Sequence, residues 1–389
     1  MQNLCNIRIS PEGREIVMKS SRKHDRILLN IAVLLILAAI VYLFFSREKK
    51  VLISSSRNAI EMGTAASVTL HDRKGFNFDD SIKKIQDQTI EKILNRIDDL
   101  DNSILSWRSE TSETYTFNHI EGTEPFPCSE PFSRAISGSL KLSENSGGAL
   151  DITLRPVIDA WGIEAYDGSE PYLPPEEMTI TELKKSVGPE HISADERLVQ
   201  KDDAAVQIDF GAVGKGYALD TALSELINSP VDGAVISVGG SILIYGDKGE
   251  PWQIGIRDPE GNPTDFLGRL SIPGTKSGTA FISTSGGYEK YVEYEGEILE
   301  HIIDGRTLSP VQGRLYSATI ITYDDGLVSD GLSTACYILG MENSGNILEQ
   351  YHAEAIFVTK TKEVYITEGL SGMFAITDSS YKFAGVLYR

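Results

Sequence analysis

The chain has 389 residues, 41% of them hydrophobic, which is enough to bury a sizeable core in one large domain or two. Its 36 basic and 56 acidic residues give a formal net charge of -20, which argues against nucleic acid as a partner, because phosphate contacts need clustered Lys and Arg. The three cysteines show neither CxxC nor metal-ligand spacing; Cys128 and Cys336 could pair, but two buried free thiols are expected, with Cys5 on the inner side of a membrane.

Ile27 to Phe45 is a run of 19 uncharged residues, long enough to cross the hydrocarbon core as a helix. Arg8, Arg14, Lys19, Arg22, Lys23 and Arg26 precede it, while Arg47, Lys49 and Lys50 follow it. The long basic leader and the absence of a small-x-small cleavage site favour an uncleaved anchor over a signal peptide. The expected organisation is therefore a cytoplasmic tail (1–26), a transmembrane helix (27–45), a polar linker (46–58) and one extracytoplasmic domain (59–389).

Within that domain Ala65 to Leu70 reads as a strand. Asp79 to Asp101 carries Ile82, Ile85, Ile93, Leu94, Ile97 and Leu100 at helical spacing, and Phe132 to Ser143 is a second helix. Gln207 to Phe210 is expected to end a strand. Further strands are expected at Ala234–Val238, Ser241–Tyr245, Trp252–Arg257, Gly278–Ser285, Ile298–Ile303, Leu315–Thr322, Ala355–Thr359 and Val364–Thr367. Strands come in groups between helices rather than in strict alternation, which predicts an α+β fold with mixed, largely antiparallel sheets and packed helices.

Three segments carry chemistry. Ile208 to Asp220, IDFGAVGKGYALD, places a glycine loop at the start of a helix, where free N–H groups and Lys215 could receive an anion. A Walker A loop would have Ser or Thr after Gly-Lys, and this chain has Gly216. Asp324 to Gly340 is a second helix candidate, in which Asp330 and Thr334 lie four apart and share a face, offering the hard oxygen ligands that Mg²⁺ prefers. His301 and Asp304 stand at the end of an expected strand, leading into the turn Gly305-Arg306-Thr307. Taken singly, each of these has an ordinary structural explanation.

In order along the chain, however, these segments resemble the FAD:protein FMN transferase family, the ApbE type. Met62-Gly63-Thr64 resembles its opening motif. Ser103 to Asn118 and Gly148 to Gly162 resemble its next two blocks. The loop at Ile208, Ser237 to Ile242, Trp252 to Pro259, Ser283 to Glu289, His301 to Pro310 and Asp330 to Thr334 follow in family order. The resemblance implies an ApbE-like, T-fold-like fold and an enzyme that moves FMN from FAD to a Ser or Thr hydroxyl of an acceptor flavoprotein and releases AMP. By position, Met62 would touch the flavin and Asp151 the adenosine part, and Lys215 would lie near the phosphates. Thr153, Ser285, Gly286 and Ile302 would complete the FAD contacts. Mg²⁺ would be held by Asp330, Thr334 and the backbone carbonyl of Ala212. His301 would be the general base.

Five residues at four places depart from the family pattern. Gly305 replaces a usual Pro, Leu308-Ser309 replaces Gly-x, Gly287 stands where an acid is common, and Ser241 stands where Asp is common. A Mg²⁺-dependent FAD pyrophosphatase, a membrane-tethered FAD-binding module and a chain flavinylated on itself near Ser277-Gly278-Thr279-Ala280 are the competing readings. Outside the membrane, the acceptor would be a flavoprotein domain of a membrane redox complex.

Overall fold

In the computed structural model the described residues are 27–38, 51–74, 81–275 and 278–387. They fall into two units, Met1–Lys50 and Val51–Arg389. In the first, residues 27–38 are helical, and residues 39–45 of the expected span, with the tail 1–26, lie outside the described residues. Among the described residues no helix is long and apolar enough to cross a membrane.

The second unit is built on one nine-stranded sheet. Its strands are β1 (Val51–Glu61), β2 (Thr64–Lys74), β3 (Gly233–Val238), β4 (Ser241–Gly246), β5 (Thr279–Ser285), β6 (Leu315–Thr322), β7 (Glu354–Thr359), β8 (Glu363–Thr367) and β9 (Lys382–Leu387). Their order in space is their order in the chain. Every neighbouring pair is antiparallel except β8 with β9, which is parallel. The largely antiparallel α+β expectation holds.

The alternation of side chains sorts the core into two layers. Leu243, Phe281, Ala318, Ile320, Ala355 and Phe357 face one way and pack with the helices. Their neighbours Ile244, Ile282, Ile321, Ile356 and Val358 face the other way. There they meet a small antiparallel sheet of Trp252–Arg257, Phe266–Ile272 and Phe374–Ile376. Burial on both faces explains consecutive apolar residues such as Ala355 to Val358 and Ile320-Ile321.

The helical layer holds α1 (Ser81–Leu100), α2 (Glu130–Asn145), α3 (Gly214–Ile227) and α4 (Gly326–Leu339). α4 is buried on nearly every side, including Ser329, Asp330 and Ser333. Asp220 of α3 caps it: the Gly326 and Leu327 N–H groups donate to the Asp220 carboxylate at 2.7 and 3.1 Å. These are two of the four donors that a helix start leaves unpaired. Burial and the neighbouring Asp325 push the Asp220 carboxyl up to about 7, although those two N–H groups and Arg134 oppose the shift.

Four expectations change. Residues 51–58 of the expected linker are strand, because β1 pairs with β2 along its whole length; as an edge strand it has the polar composition of a linker, and Ile53 is its buried residue. Gln207–Phe210 is not a strand; it is extended chain with a single bridge from Gln207 to Leu154. The expected strand Ile298–Ile303 breaks at His301, between Glu297–Glu300 and Ile303–Asp304. Phe266–Ile272, unassigned from sequence, is a strand. Cys336 is buried and free, its thiol pushed up to about 12 by burial, and Cys128 is half-buried and free.

α3 and α4 cross at two glycines. A Cβ on Gly216 would lie 1.9 Å from the Gly326 carbonyl oxygen, and one on Gly326 would lie 2.3 Å from the Gly216 carbonyl oxygen. Gly216→Ala is expected to cost about 3 kcal/mol or more, since backbone rather than a flexible side chain must move. Gly372→Ala, at a left-handed φ of 79° with open space around it, should cost only about 1 kcal/mol by comparison. Urea denaturation of the two variants measures the difference.

Candidate active site

The glycine crossing sets the geometry of the site. With no side chain at 216, the Asp330 carboxylate fits against α3, and the Gly216 N–H donates to Asp330 Oδ2 at 2.9 Å. Gly216 lies in the first turn of α3, where a helix start leaves its N–H without an intrahelical partner, and Asp330 supplies one. The second Asp330 oxygen accepts from the Ser241 hydroxyl at 3.0 Å, and Lys215 Nζ stands 3.9 Å from Oδ2 while donating to the Gly211 carbonyl at 3.1 Å. Asp330 is only 2% exposed, so it is no surface acid. Such a carboxylate is tolerable inside a protein because donors surround it.

Thr334 lies one turn further along α4. Its hydroxyl bonds Ser285 Oγ at 3.0 Å, and Ser285 Oγ also bonds Ser333 Oγ at 2.7 Å. Ser241 and Ser285 come from the adjacent strands β4 and β5, so the sheet holds both α4 side chains in place. Ser283, opposite Ser241 in that pairing, is buried with its hydroxyl unpartnered among the described residues. Gly286 is buried beside Ser285.

Met62 and Gly63 are the two loop residues between β1 and β2, with φ of 50° and 70°. Positive φ at both central positions is the type I′ turn that suits a tight hairpin. It sets Met62 beside the start of α3, where the Met62 methyl lies 3.3 Å from the place a Cβ on Gly214 would take.

A second group of residues surrounds a cavity of about 230 Å³ lined by Gly148, Asp151, Gly188, Glu190, Gly305 and Arg306, among others. Asp151 Oδ1 accepts from both the N–H and the hydroxyl of Thr153 at 2.8 Å, and the Thr153 hydroxyl accepts from the Gly188 N–H at 2.7 Å. Burial pushes the Asp151 carboxyl up to about 6 against the pull of those two donors.

His301 to Gly305 leads from the strand Glu297–Glu300 to the Asp151 loop. The Gly305 N–H donates to the Ala149 carbonyl at 3.1 Å, a bond that Pro could not make, so glycine here ties the histidine turn to the Asp151 loop. Leu308 sits at a left-handed φ of 58°, its side chain is buried, and its carbonyl accepts from Trp161 Nε1–H at 2.9 Å. Burying leucine offsets the roughly 1 kcal/mol of strain. The Ile302 carbonyl accepts from the Val311 N–H at 2.9 Å, and its half-buried side chain packs on the main core.

His301 Nδ1 lies 3.0 Å from the Lys290 carbonyl oxygen. A carbonyl only accepts, so Nδ1 carries the proton and Nε2 keeps its lone pair. Burial holds the imidazole below its ordinary value, though Glu164 and Glu289 act in the other direction. It is neutral at neutral pH and able to accept a proton through Nε2.

The structure thus brings Lys215 to Asp330 and Ser285 to Thr334 on the next turn, with Met62 beside the start of α3, and joins Asp151 to Thr153 at the second cavity; Ala212, Gly286, His301 and Ile302 are placed by their neighbours in the chain. Among the described residues no three of His, Cys, Asp and Glu cluster as a metal site. The buried Asp330 carboxylate and the Thr334 hydroxyl one turn on are instead hard oxygens, of the chemistry that suits Mg²⁺ sharing its shell with water and phosphate oxygens. Ser241 had only its departure from the family pattern to mark it in the sequence. Gly216 was marked by its mismatch with a Walker loop, and Asp220 by nothing.

Residues 62–357 match the profile of the ApbE family. Among characterised relatives, the FAD:protein FMN transferase of Escherichia coli (strain K12) is 29% identical over 283 residues, covering 71% of this chain and 78% of its own. The Haemophilus influenzae protein of the same name is 26% identical over 340 residues, covering 86% and 93%. The apo flavinyl transferase ApbE of Pseudomonas stutzeri superposes with a TM-score of 0.67 at 25% identity, covering 83% of this chain and 97% of that one. The Vibrio cholerae flavin transferase ApbE, at 22% identity and a TM-score of 0.67, shares the fold.

Because the Asp151 carboxyl has its folded value raised above its unfolded 3.8, the folded state holds the extra proton, and the associated stability is present at low pH and lost as pH rises through about 6. Asp151→Asn, which imitates the protonated acid, should remove this dependence. Denaturation of both proteins should show the wild type losing about 2–3 kcal/mol relative to the variant between about pH 4 and pH 6.5. A difference that does not change with pH would count against the raised acid.

Proposed function

The chain belongs to the ApbE family, and from that premise we propose that it is a divalent-cation-dependent FAD:protein FMN transferase. The single observation that best supports this is the glycine crossing, where the Gly216 N–H and the Ser241 hydroxyl hold the buried Asp330 carboxylate with Lys215 Nζ 3.9 Å away. Asp330, Thr334 and the Ala212 carbonyl would hold Mg²⁺. When bound, the cation would supply charge neutralisation for a pyrophosphate. Lys215, at the start of α3, would add a positive charge at the helix end where an anion is favoured.

In the proposed reaction the acceptor's Ser or Thr hydroxyl oxygen attacks the phosphorus on the FMN side of FAD. A new phosphoester P–O bond forms, the bond joining that phosphorus to the bridging oxygen breaks, and AMP leaves. The hydroxyl proton passes to His301 Nε2. Met62 faces the flavin, Asp151 and Thr153 take the adenosine part, and Ser285, Gly286 and Ile302 complete the contacts. Transfer of this kind depends mainly on positioning and charge neutralisation, and a neutral imidazole suits the one proton that must move.

The uncharged run from Ile27 to Phe45 supports a membrane anchor, with the catalytic domain on the extracytoplasmic side. The acceptor would then be a flavoprotein domain of a membrane redox complex.

The test incubates the full-length chain in mild detergent with FAD, Mg²⁺ and an acceptor domain carrying a candidate Thr, followed by intact mass and nucleotide chromatography. The expected products are an acceptor heavier by one FMN, and AMP. His301→Ala and Asp330→Ala should each lower the rate by about 100-fold or more, and chelation of Mg²⁺ should abolish it. Free FMN and AMP with every acceptor tried would replace transfer with hydrolysis, and FAD left intact would leave only a binding module. In the active enzyme, the acid limb of the kcat/KM–pH profile should lie below the ordinary histidine value of 6.5.

A further inference from the structure

Glu300 is a charged residue that the reaction described above does not use, yet it is 4% exposed. It ends the strand Glu297–Glu300 and is bonded through the backbone to His301. One carboxylate oxygen accepts from the Tyr337 hydroxyl at 2.5 Å, and the other accepts from Lys360 Nζ at 2.9 Å. The Tyr337 hydroxyl accepts in turn from the Gly287 N–H at 3.1 Å. Burial, with the Glu300 charge beside it, raises the Tyr337 phenol, so the phenol stays the donor and Glu300 the acceptor.

The position of this network is informative. Tyr337 is 1% exposed and lies on α4 one turn beyond Thr334, so the two project on neighbouring turns. Gly287 follows Ser285 and Gly286 at the end of β5. A Cβ on Gly287 would lie 2.0 Å from Glu300 Cδ, so the glycine leaves the space that the carboxylate fills. Lys360 follows β7 and is held there by its N–H bond to the Arg314 carbonyl at 2.8 Å. Burying a carboxylate is costly even when paired, and an apolar replacement often serves stability as well. The arrangement is better explained by geometry than by stability.

We propose that Glu300 and Tyr337 are positioning residues, a buried brace that fixes the backbone of His301 relative to the Thr334 turn of α4 and to the loop after Ser285. It touches neither FAD nor the acceptor. It keeps the proton acceptor and the hard-oxygen ligands in register, and its effect on rate rests on the transferase reading given above.

The test uses the full-length chain carrying Tyr337→Phe, Glu300→Gln or Gly287→Ala. Tyr337→Phe removes one hydroxyl, Glu300→Gln keeps an acceptor but loses the ion pair to Lys360, and Gly287→Ala displaces Glu300 without deleting a polar group. In Tyr337→Phe, amide hydrogen exchange should rise by about tenfold or more in residues 285–290 and 298–304 and stay unchanged in β2 and β3. With a working acceptor, kcat should fall about 10–100-fold while KM for FAD changes by less than about threefold, the signature of a small misplacement. Glu300→Gln should lie between Tyr337→Phe and wild type, and it carries the test if Tyr337→Phe does not fold.

Unchanged exchange in those segments overturns the brace whether or not the chain transfers flavin. Raised exchange with a wild-type kcat in an active enzyme overturns its link to catalysis, as does a rise in KM that accounts for the whole loss. Raised exchange in a chain that transfers nothing supports the brace and sinks the transferase reading alone.

Discussion

The close crossing of α3 and α4 at Gly216 and Gly326 governs the site. Backbone meets backbone there, because a Cβ at either position would lie about 2 Å from a carbonyl oxygen of the other helix. Two consequences follow from that contact. The Asp330 carboxylate reaches the Gly216 N–H, and Lys215 is carried to within 3.9 Å of the acid. The glycine that disqualifies this loop as a Walker motif is what lets a carboxylate from a second helix approach its backbone.

A crossing this close needs both helices fixed, and the sheet fixes them. Strand side chains of one parity pack under α3 and α4, while those of the other parity bury against the small sheet. A sheet held on both faces has little freedom to slide, since a shift of one residue would turn each side chain to the wrong layer. The strand ends therefore make a stiff floor, and the hydroxyls of Ser241 and Ser285 project from it to Asp330 and Thr334. The Asp220 cap on the first turn of α4 holds the helix from its other end.

Electrostatics at the site run against those of the molecule. The chain carries a net charge of -20, yet the one buried acid of the candidate metal set is surrounded by an N–H, a hydroxyl and an ammonium. At His301 the Lys290 carbonyl fixes the tautomer and burial keeps the ring neutral. Asp151 is a half-buried acid pushed up to about 6, so its cavity loses this negative charge only as pH falls through about that value. The donors around Asp330 lower the negative charge there, where a substrate with two phosphates would otherwise be repelled.

Much of this was legible in the chain itself. Apolar periodicity revealed α1, α3, α4 and most central strands, because burial selects residues by face and the face repeats with the local geometry. The chemistry-bearing residues of the candidate site stood out through a handful of short ordered segments. Other features left little or no local trace. β1 has a linker's composition, since an edge strand needs few buried side chains. The break at His301 comes from contacts with Lys290 and, through Gly305, with Ala149. Glu300 and Tyr337 lie 37 residues apart, and no spacing rule joins them. The sequence by itself determined the family, the α+β class and the candidate reactive groups, because those depend on residue type and local period. Only the tertiary structure decided which carboxylate meets which N–H and which hydroxyls hold it, because those depend on how closely two backbones approach across the fold.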